Sequence, residues 1–255
     1  MTQIRRPLVV FVLVLATCAS STIGAATEQE DWVARSDANT QEVTEFFARY
    51  LPELMSSLGV EGFDEEIQQI SREIDLEAKR GEDKLLEALR HKLSQEDHPT
   101  VRQDLEILID LLDRELRLSE LEDELMLPYV DVAETIFVGL RGLLDEQVPE
   151  ERRAAALVRL RRYAGLEDGY TPLAEQAETY IRERLCDTHL MGPFVEELEK
   201  DMARAPRLVA GIGQMFEAVE LGGYEPGLEA LQAQLDQYHE FLRQEVLPRT
   251  RKDYR

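Results

Sequence analysis

Apolar residues recur every three or four positions along almost the whole chain, and this spacing constrains the fold more than any other feature. Such a repeat places apolar side chains on one face of an α-helix, whereas a half-buried strand would alternate every second residue. No segment alternates with period two for long enough to predict a convincing strand. The sequence therefore predicts an all-α fold, a single array of about nine or ten helices without a substantial sheet.

Prolines and glycines indicate where the predicted helices begin and end. A first helix is expected from Asn39 or Thr40 to before Gly59, kinked or shortened at Pro52. A weaker helical region is expected from about Ile67 to a break at Gly81. Later helices are expected to begin at prolines, because a proline in the first turn loses no hydrogen bond. The other expected boundaries are Pro99, Pro149, Gly165, Pro172, Pro193, Pro206, Gly222-Gly223 and Pro226.

Residues 1–26 have the layout of a secretory signal peptide. Arg5 and Arg6 precede an unbroken apolar run from Leu8 to Ala16, and small residues follow up to Ala26. The apolar run is shorter than the roughly 20 residues that span a bilayer as a helix. Cleavage after Ala25 or Ala26 predicts a periplasmic protein, in which a polar lead-in, 27–38, precedes a helical domain, 39–255.

A second processing site is possible within the same leader. Leu15 to Cys18 resembles a bacterial lipobox, although Thr17 stands where Gly, Ala or Ser is usual. Lipidation of Cys18 would anchor the protein to the membrane instead of releasing it. Under either alternative, membrane contact is expected only through the signal or the lipid anchor.

The charge and cysteine content narrow the classes of partner. The chain has 52 acidic and 29 basic residues, and removal of Arg5 and Arg6 with the leader leaves 27 basic residues and a formal charge of −25. Such a surface repels phosphate backbones, so no nucleic-acid partner is expected. Cys186 would be the only cysteine of the mature chain, which excludes an intramolecular disulfide.

Motifs for metal-dependent hydrolysis are incomplete. His239-Glu240 begins the zinc motif His-Glu-x-x-His, but Arg243 stands where the second histidine is required. His239 is therefore interpreted as an exposed or partly buried helix residue. Acidic pairs such as Glu65-Glu66 are interpreted as solvated helix faces in so acidic a chain.

Arginines near the middle of the chain form the first candidate site. Arg152, Arg159 and Arg162 are spaced to lie near one helix face, where their guanidinium groups could bind the carboxylate of a peptide or small-molecule ligand. The alternative is that they pair with acids of the same chain. The excess of acidic residues favours this pairing.

Cys186 and His189 form the second candidate site. Their spacing of three residues would let the thiol and the imidazole share a metal or form an ion pair. No second Cys/His pair completes a tetrahedral site, so a buried structural thiol beside a histidine at a helix end is the favoured interpretation.

Several short sequence motifs resemble those of a known family. They are Pro128 to Val130, Ile136 to Leu140, Pro149 to Arg152, Arg159 to Tyr163, and the run from Phe241 to Arg255. In this order they resemble the bacterial family catalogued as "domain of unknown function 885", over most of residues 40–255. Members of that family are helical, often exported, and look like zinc-dependent peptidases.

This resemblance implies that the chain corresponds to the N-terminal half of a larger protein. The family's metal motif, a His-Glu pair followed by Pro-Gly-His, belongs to the C-terminal half, and no position here matches it. We therefore expect no cofactor in this chain, and zinc only where that other half is present. The expected function is a catalytically incomplete domain of a peptidase-like protein; the alternative is an independent periplasmic helical binding or scaffold module.

Overall fold

The computed structural model describes the backbone of residues 26–253 and the side chains of residues 31–253. All regular structure in this range is helical, with two isolated β-bridges, Met126 to Met191 and Phe194 to Arg251. The all-α prediction is confirmed. The signal sequence and Cys18 lie outside the described residues. The α-helices are α1 (Ala26–Ala48), α2 (Pro52–Ser57), α3 (Arg72–Gln95), α4 (Pro99–Leu125), α5 (Val132–Arg141), α6 (Glu150–Arg153), α7 (Ala155–Tyr163), α8 (Leu173–Arg184), α9 (Val195–Ala218) and α10 (Glu225–Phe241).

Most of the proline boundaries are confirmed. Helix α1 ends at Ala48 and α2 begins at Pro52, so this proline shortens the first helix. Helices α4, α6, α8 and α10 each begin at or within one residue of a predicted proline. In the helices that the structure describes, none is both long enough and apolar enough to cross a membrane.

The predicted start of the first helix is wrong, because α1 already includes the polar segment 27–38. Two polar side chains in this helix are buried, Ser36 and Asn39. The hydroxyl of Ser36 lies 2.6 Å from a carboxylate oxygen of Asp104 on α4. Tertiary partners therefore stabilise a helical turn that apolar periodicity alone does not reveal.

Two predicted breaks are also wrong. Helix α3 continues through Gly81, where a β-carbon would lie only 2.7 Å from the ring of Phe46, so the glycine permits close packing rather than ending the helix. Helix α9 continues through Pro206. Pro206 is exposed, so its ring displaces no core side chain, although the proline cannot donate the helical hydrogen bond to the Met202 carbonyl.

The structure refines the single predicted array into two compact units. Among the described residues, the larger unit comprises Ala48–Asp75 and the chain from Leu121 onward. Its core lies between α5, α7, α8, α9 and α10. The side chains fully buried there include Ile136, Leu160, Ile181 and Phe216.

The smaller unit comprises the described residues up to Phe47 together with Leu76–Glu120. It contains most of α1, α3 and α4, packed around an aliphatic cluster of its own. Leu89, Val101 and Leu112 are fully buried in this cluster. The stripe of apolar residues that the sequence shows along α4 is the part of that helix facing this core.

Candidate functional site

The three candidate arginines surround an extended segment of the larger unit, residues 59–71, which connects α2 to α3 without a helix. The weak helix expected from Ile67 is therefore absent before Arg72. Gly59 and Gly62 have φ angles of 80° and 89°, a region that glycine adopts without steric cost, and both lie in turns. Ile67 is buried in the core of the larger unit.

Arg152, on α6, holds this segment through Asp64. Its Nε and Nη2 atoms donate to the two carboxylate oxygens of Asp64, each at 2.7 Å, and Nη2 also donates to the Ser56 carbonyl at 2.8 Å. The Ser56 hydroxyl donates to the same carboxylate at 2.7 Å. The hydrogen bonds from Arg152 outweigh partial burial and lower the pKa of Asp64.

Arg159, on α7, is buried, with 1% of its surface exposed. Its Nη1 donates to the Gly139 carbonyl and its Nη2 to the Phe63 carbonyl, both at 2.7 Å. A buried guanidinium is stabilised when such acceptors replace its water. Arg159 therefore connects α5 to the extended segment from inside the unit.

Arg162 lies one helical turn after Arg159 and binds the next part of the segment. Its Nη1 donates to the Glu65 carbonyl at 2.8 Å and pairs with a Glu66 carboxylate oxygen at 3.0 Å. The guanidinium carbon lies 4.8 Å from the centre of the Tyr170 ring, a cation–π distance. The Glu65-Glu66 pair was interpreted from sequence as a solvated helix face. Both side chains are solvated, 51% and 46% exposed, but they lie outside any helix and pair with this arginine.

A hydrogen-bonded carboxylate lies beside the arginines. The Tyr163 hydroxyl donates to Glu53 at 2.7 Å, and the Gln68 N–H donates to the same oxygen at 2.9 Å. Desolvation by burial exceeds the effect of these hydrogen bonds, so the pKa of Glu53 is raised. Gly139 leaves room for the tyrosine, because a β-carbon at Gly139 would lie 2.2 Å from its hydroxyl oxygen.

The structure thus brings all three predicted arginines together, each donating to groups of its own chain. Arg152 and Arg162 pair with acids of the chain, as the acid excess favours, whereas Arg159 donates to two backbone carbonyls. Binding of an external ligand at these residues stays a prediction. Sequence reasoning missed Glu53, Asp64 and Tyr163. The one local signal was the tyrosine's position four residues after Arg159, which places both on one helix face.

The Cys186 and His189 side chains are both exposed, in the loop that follows α8. The interpretation of Cys186 as a buried thiol is therefore wrong. Within residues 31–253, no group of three or more His, Cys, Asp or Glu side chains is placed to hold a metal ion. His239 was expected to be exposed or partly buried, but it is buried, with 8% of its surface exposed, so this expectation is wrong; desolvation lowers its pKa.

The loop carrying Cys186 is bound to the C-terminal part of the chain. Arg249 donates to the carbonyls of Leu185 and Asp187, the latter at 2.8 Å. Gly192 packs directly on the same segment, since a β-carbon there would lie 1.9 Å from the Arg249 carbonyl oxygen. The loop that carries Cys186 is therefore fixed by contacts with Arg249 as well as by hydrogen bonds within the loop.

A second polar cluster lies at the N-terminus of α5. Asp131 caps this helix by accepting the Glu134 N–H at 3.1 Å, and it pairs with Arg204 of α9. Arg204 also pairs with Asp201 at 3.1 Å, and the Tyr129 hydroxyl lies 3.4 Å from Asp201. These paired charges join α5 to α9 at the edge of the core, and no sequence motif indicates them.

Fold and site together define an α-helical domain whose most concentrated basic residues hold a segment of the domain itself. The family model described as "Bacterial protein of unknown function (DUF885)" matches residues 52–255. The chain belongs to this family, and the resemblance inferred from the short sequence motifs is confirmed. Comparison with curated proteins and with solved structures found no match.

Proposed function

We propose that this chain is an exported helical domain of a peptidase-like DUF885 protein, which helps to form and cover a substrate channel and does not hydrolyse peptides by itself. The observation that supports this proposal is that the clustered arginines donate their hydrogen bonds to the chain itself. Arg152, Arg159 and Arg162 all donate to residues 63–66 or their neighbours. In this proposal, groups engaged in this way stabilise a rigid framework and do not bind a substrate.

Zinc is the cofactor that the resemblance implies, and the described residues do not fit it. His239 is buried, and Arg243 stands one turn later, where the zinc motif requires a second histidine. No zinc-dependent step is therefore assigned to these residues. In the proposal, metal and catalysis belong to a portion of the family's proteins that this chain does not match.

Metal analysis and a peptidase assay on the purified chain test this proposal directly. We expect less than one equivalent of tightly bound zinc after dialysis against a zinc-containing buffer, and no hydrolysis of a fluorogenic peptide library. Stoichiometric zinc together with hydrolysis that a chelator abolishes would overturn the proposal. A mock purification from cells that do not express the chain serves as the control for activity arising from contaminating peptidases.

Export is tested separately. We expect the protein in the periplasmic fraction, with an N-terminus at Ala26 or Thr27. A Cys18→Ser variant distinguishes the two leader interpretations, because it abolishes labelling by a radioactive fatty acid only if Cys18 is lipidated. Retention of the full leader in the cytoplasm would contradict export.

An independent binding or scaffold module is the second candidate. It is favoured by the two buried hydrophobic clusters, since each unit has a core of its own. This candidate predicts that the purified chain is monomeric in light scattering and unfolds cooperatively in urea. Aggregation relieved only by a second polypeptide would argue against it.

A further inference from the structure

A depression of about 290 Å³ on the larger unit lies apart from the arginine cluster. One wall is α9, which contributes Glu199, Met202 and Ala203. The other wall is the chain after α10, which contributes Arg243 and Leu247. Ligand sites for drug-sized molecules begin at roughly 300 Å³, so the size suits a very small molecule.

The wall carrying Arg243 has an unusual backbone. Residues Leu242–Val246 form a π-helical turn, in which the Leu247 N–H donates to the Leu242 carbonyl five residues earlier. Short π-helical turns of this kind are rare in proteins overall, and those that occur are often found at functional sites. Arg243 lies on this turn and Leu247 directly follows it, so the altered backbone positions both side chains that this wall supplies.

The two walls carry opposite charges above an apolar base. Arg243 is 53% exposed, and its ion pair with Glu240 near the end of α10 is long at 3.4 Å. Glu199, on the other wall, is also exposed. Met202 and Leu247 are partly buried and pack against the core of the larger unit. A ligand that complements this surface has a carboxylate, an ammonium group and an apolar side chain.

We propose that this depression binds a free apolar amino acid. Arg243 binds its carboxylate, Glu199 binds its ammonium group, and Met202 and Leu247 contact its side chain. Guanidinium and carboxylate pair through charge-assisted hydrogen bonds, and the apolar contact excludes water from one side of the ligand. The proposal does not depend on the proposed function, which would stand if no amino acid bound.

Calorimetric titration of the full chain with L-leucine at pH 7 and low salt tests the site. We expect saturable binding with a dissociation constant of about 1 mM, because both charged groups are solvated in the free protein. Arg243→Met and Glu199→Gln should each weaken binding about tenfold. Arg141→Met, which removes an exposed arginine outside the depression, should leave binding unchanged.

Two leucine analogues assign each end of the ligand. N-acetyl-leucine lacks the ammonium group and leucinamide lacks the carboxylate, so both should bind the wild-type protein more weakly than leucine. Glu199→Gln should bind leucine and N-acetyl-leucine equally, and Arg243→Met should not distinguish leucine from leucinamide. Circular dichroism verifies that each variant is folded. Failure to saturate at about 20 mM leucine, or equal losses in Arg243→Met and Arg141→Met, would overturn the proposal.

Discussion

The ion pair between Asp64 and Arg152 gives the sharpest quantitative test of the arginine cluster. We expect single and double alanine substitutions to show a coupling free energy of about 1.5 kcal/mol between the two side chains. The reason is geometric, because two parallel hydrogen bonds of 2.7 Å join them and the Ser56 hydroxyl orients the carboxylate at 2.7 Å.

Solvent exposure determines the expected size of this coupling free energy. Hydrogen bonds to charged groups contribute roughly 1.5 to 3 kcal/mol when buried, and exposed ion pairs contribute roughly 0.2 to 1 kcal/mol. The Arg152 side chain is 31% exposed and that of Asp64 is 21% exposed. Because water reaches both groups, the expected coupling lies at the lower end of the buried range.

The coupling should also depend on pH. Arg152 lowers the pKa of Asp64 below its ordinary value of 3.8, so the folded protein favours the charged carboxylate. The stability contributed by the pair is therefore complete above about pH 4 to 5 and is lost as the pH falls through the lowered pKa. Coupling that persists after the carboxylate is protonated would contradict this explanation.

Urea unfolding followed by far-UV circular dichroism measures the coupling. The single tryptophan, Trp32, lies in the smaller unit, so its fluorescence reports the unfolding of that unit separately. Asp110 and Arg114 of α4 provide the matched control, since they are also 2.7 Å apart but are 60% and 76% exposed. Their coupling should be about 0.3 kcal/mol, and an equally small value for Asp64 and Arg152 would refute the reasoning.

Three further predictions concern close packing and burial in the larger unit. Gly192→Ala should destabilise by more than about 3 kcal/mol in urea unfolding, because its β-carbon would overlap the backbone, whereas Gly222→Ala, with nothing within 4 Å, should change stability by less than about 1 kcal/mol. Gly139→Ala should destabilise by about 2 to 3 kcal/mol, and adding Tyr163→Phe should recover part of that loss by removing the overlapping hydroxyl; strict additivity of the two would contradict the contact. Burial raises the pKa of Glu53, so its protonated form is favoured on folding, and stability relative to Glu53→Gln should fall as the pH rises from 4.5 through the raised pKa; an unchanged difference between the two denaturation curves would contradict the raised pKa.

Helix boundaries were predictable wherever the cause was local. Pro99 and Pro172 mark helix starts because proline loses no hydrogen bond in a first turn, whatever the rest of the chain does. Gly81 and Pro206 have equally strong local signals, yet neither ends its helix. The contact between Gly81 and Phe46, and the exposure of Pro206, are properties of the packed structure.

The candidate site was predictable only in part. The spacing of Arg152, Arg159 and Arg162 predicted one helix face, which is wrong, because Arg152 lies on α6 and the other two lie on α7. The excess of acids correctly favoured pairing for Arg152 and Arg162. The partners could not be named, because Asp64 and Glu65 precede Arg152 and Arg162 by 88 and 97 residues. Glu53 gave no signal of burial, since a single carboxylate in a chain with 52 acids is not distinguishable by sequence.

The sequence by itself determined the all-α class, most helix starts and the family. These depend on apolar spacing, on prolines and on the order of short motifs. Such local patterns suffice for helices, because a helix is stabilised by backbone hydrogen bonds between residues four apart. Only the tertiary structure decided that the helices form two units, that the arginines hold residues 63–66, and that Arg243 lies across a depression from Glu199. Each of these depends on contacts between residues distant in the chain, which local patterns do not encode.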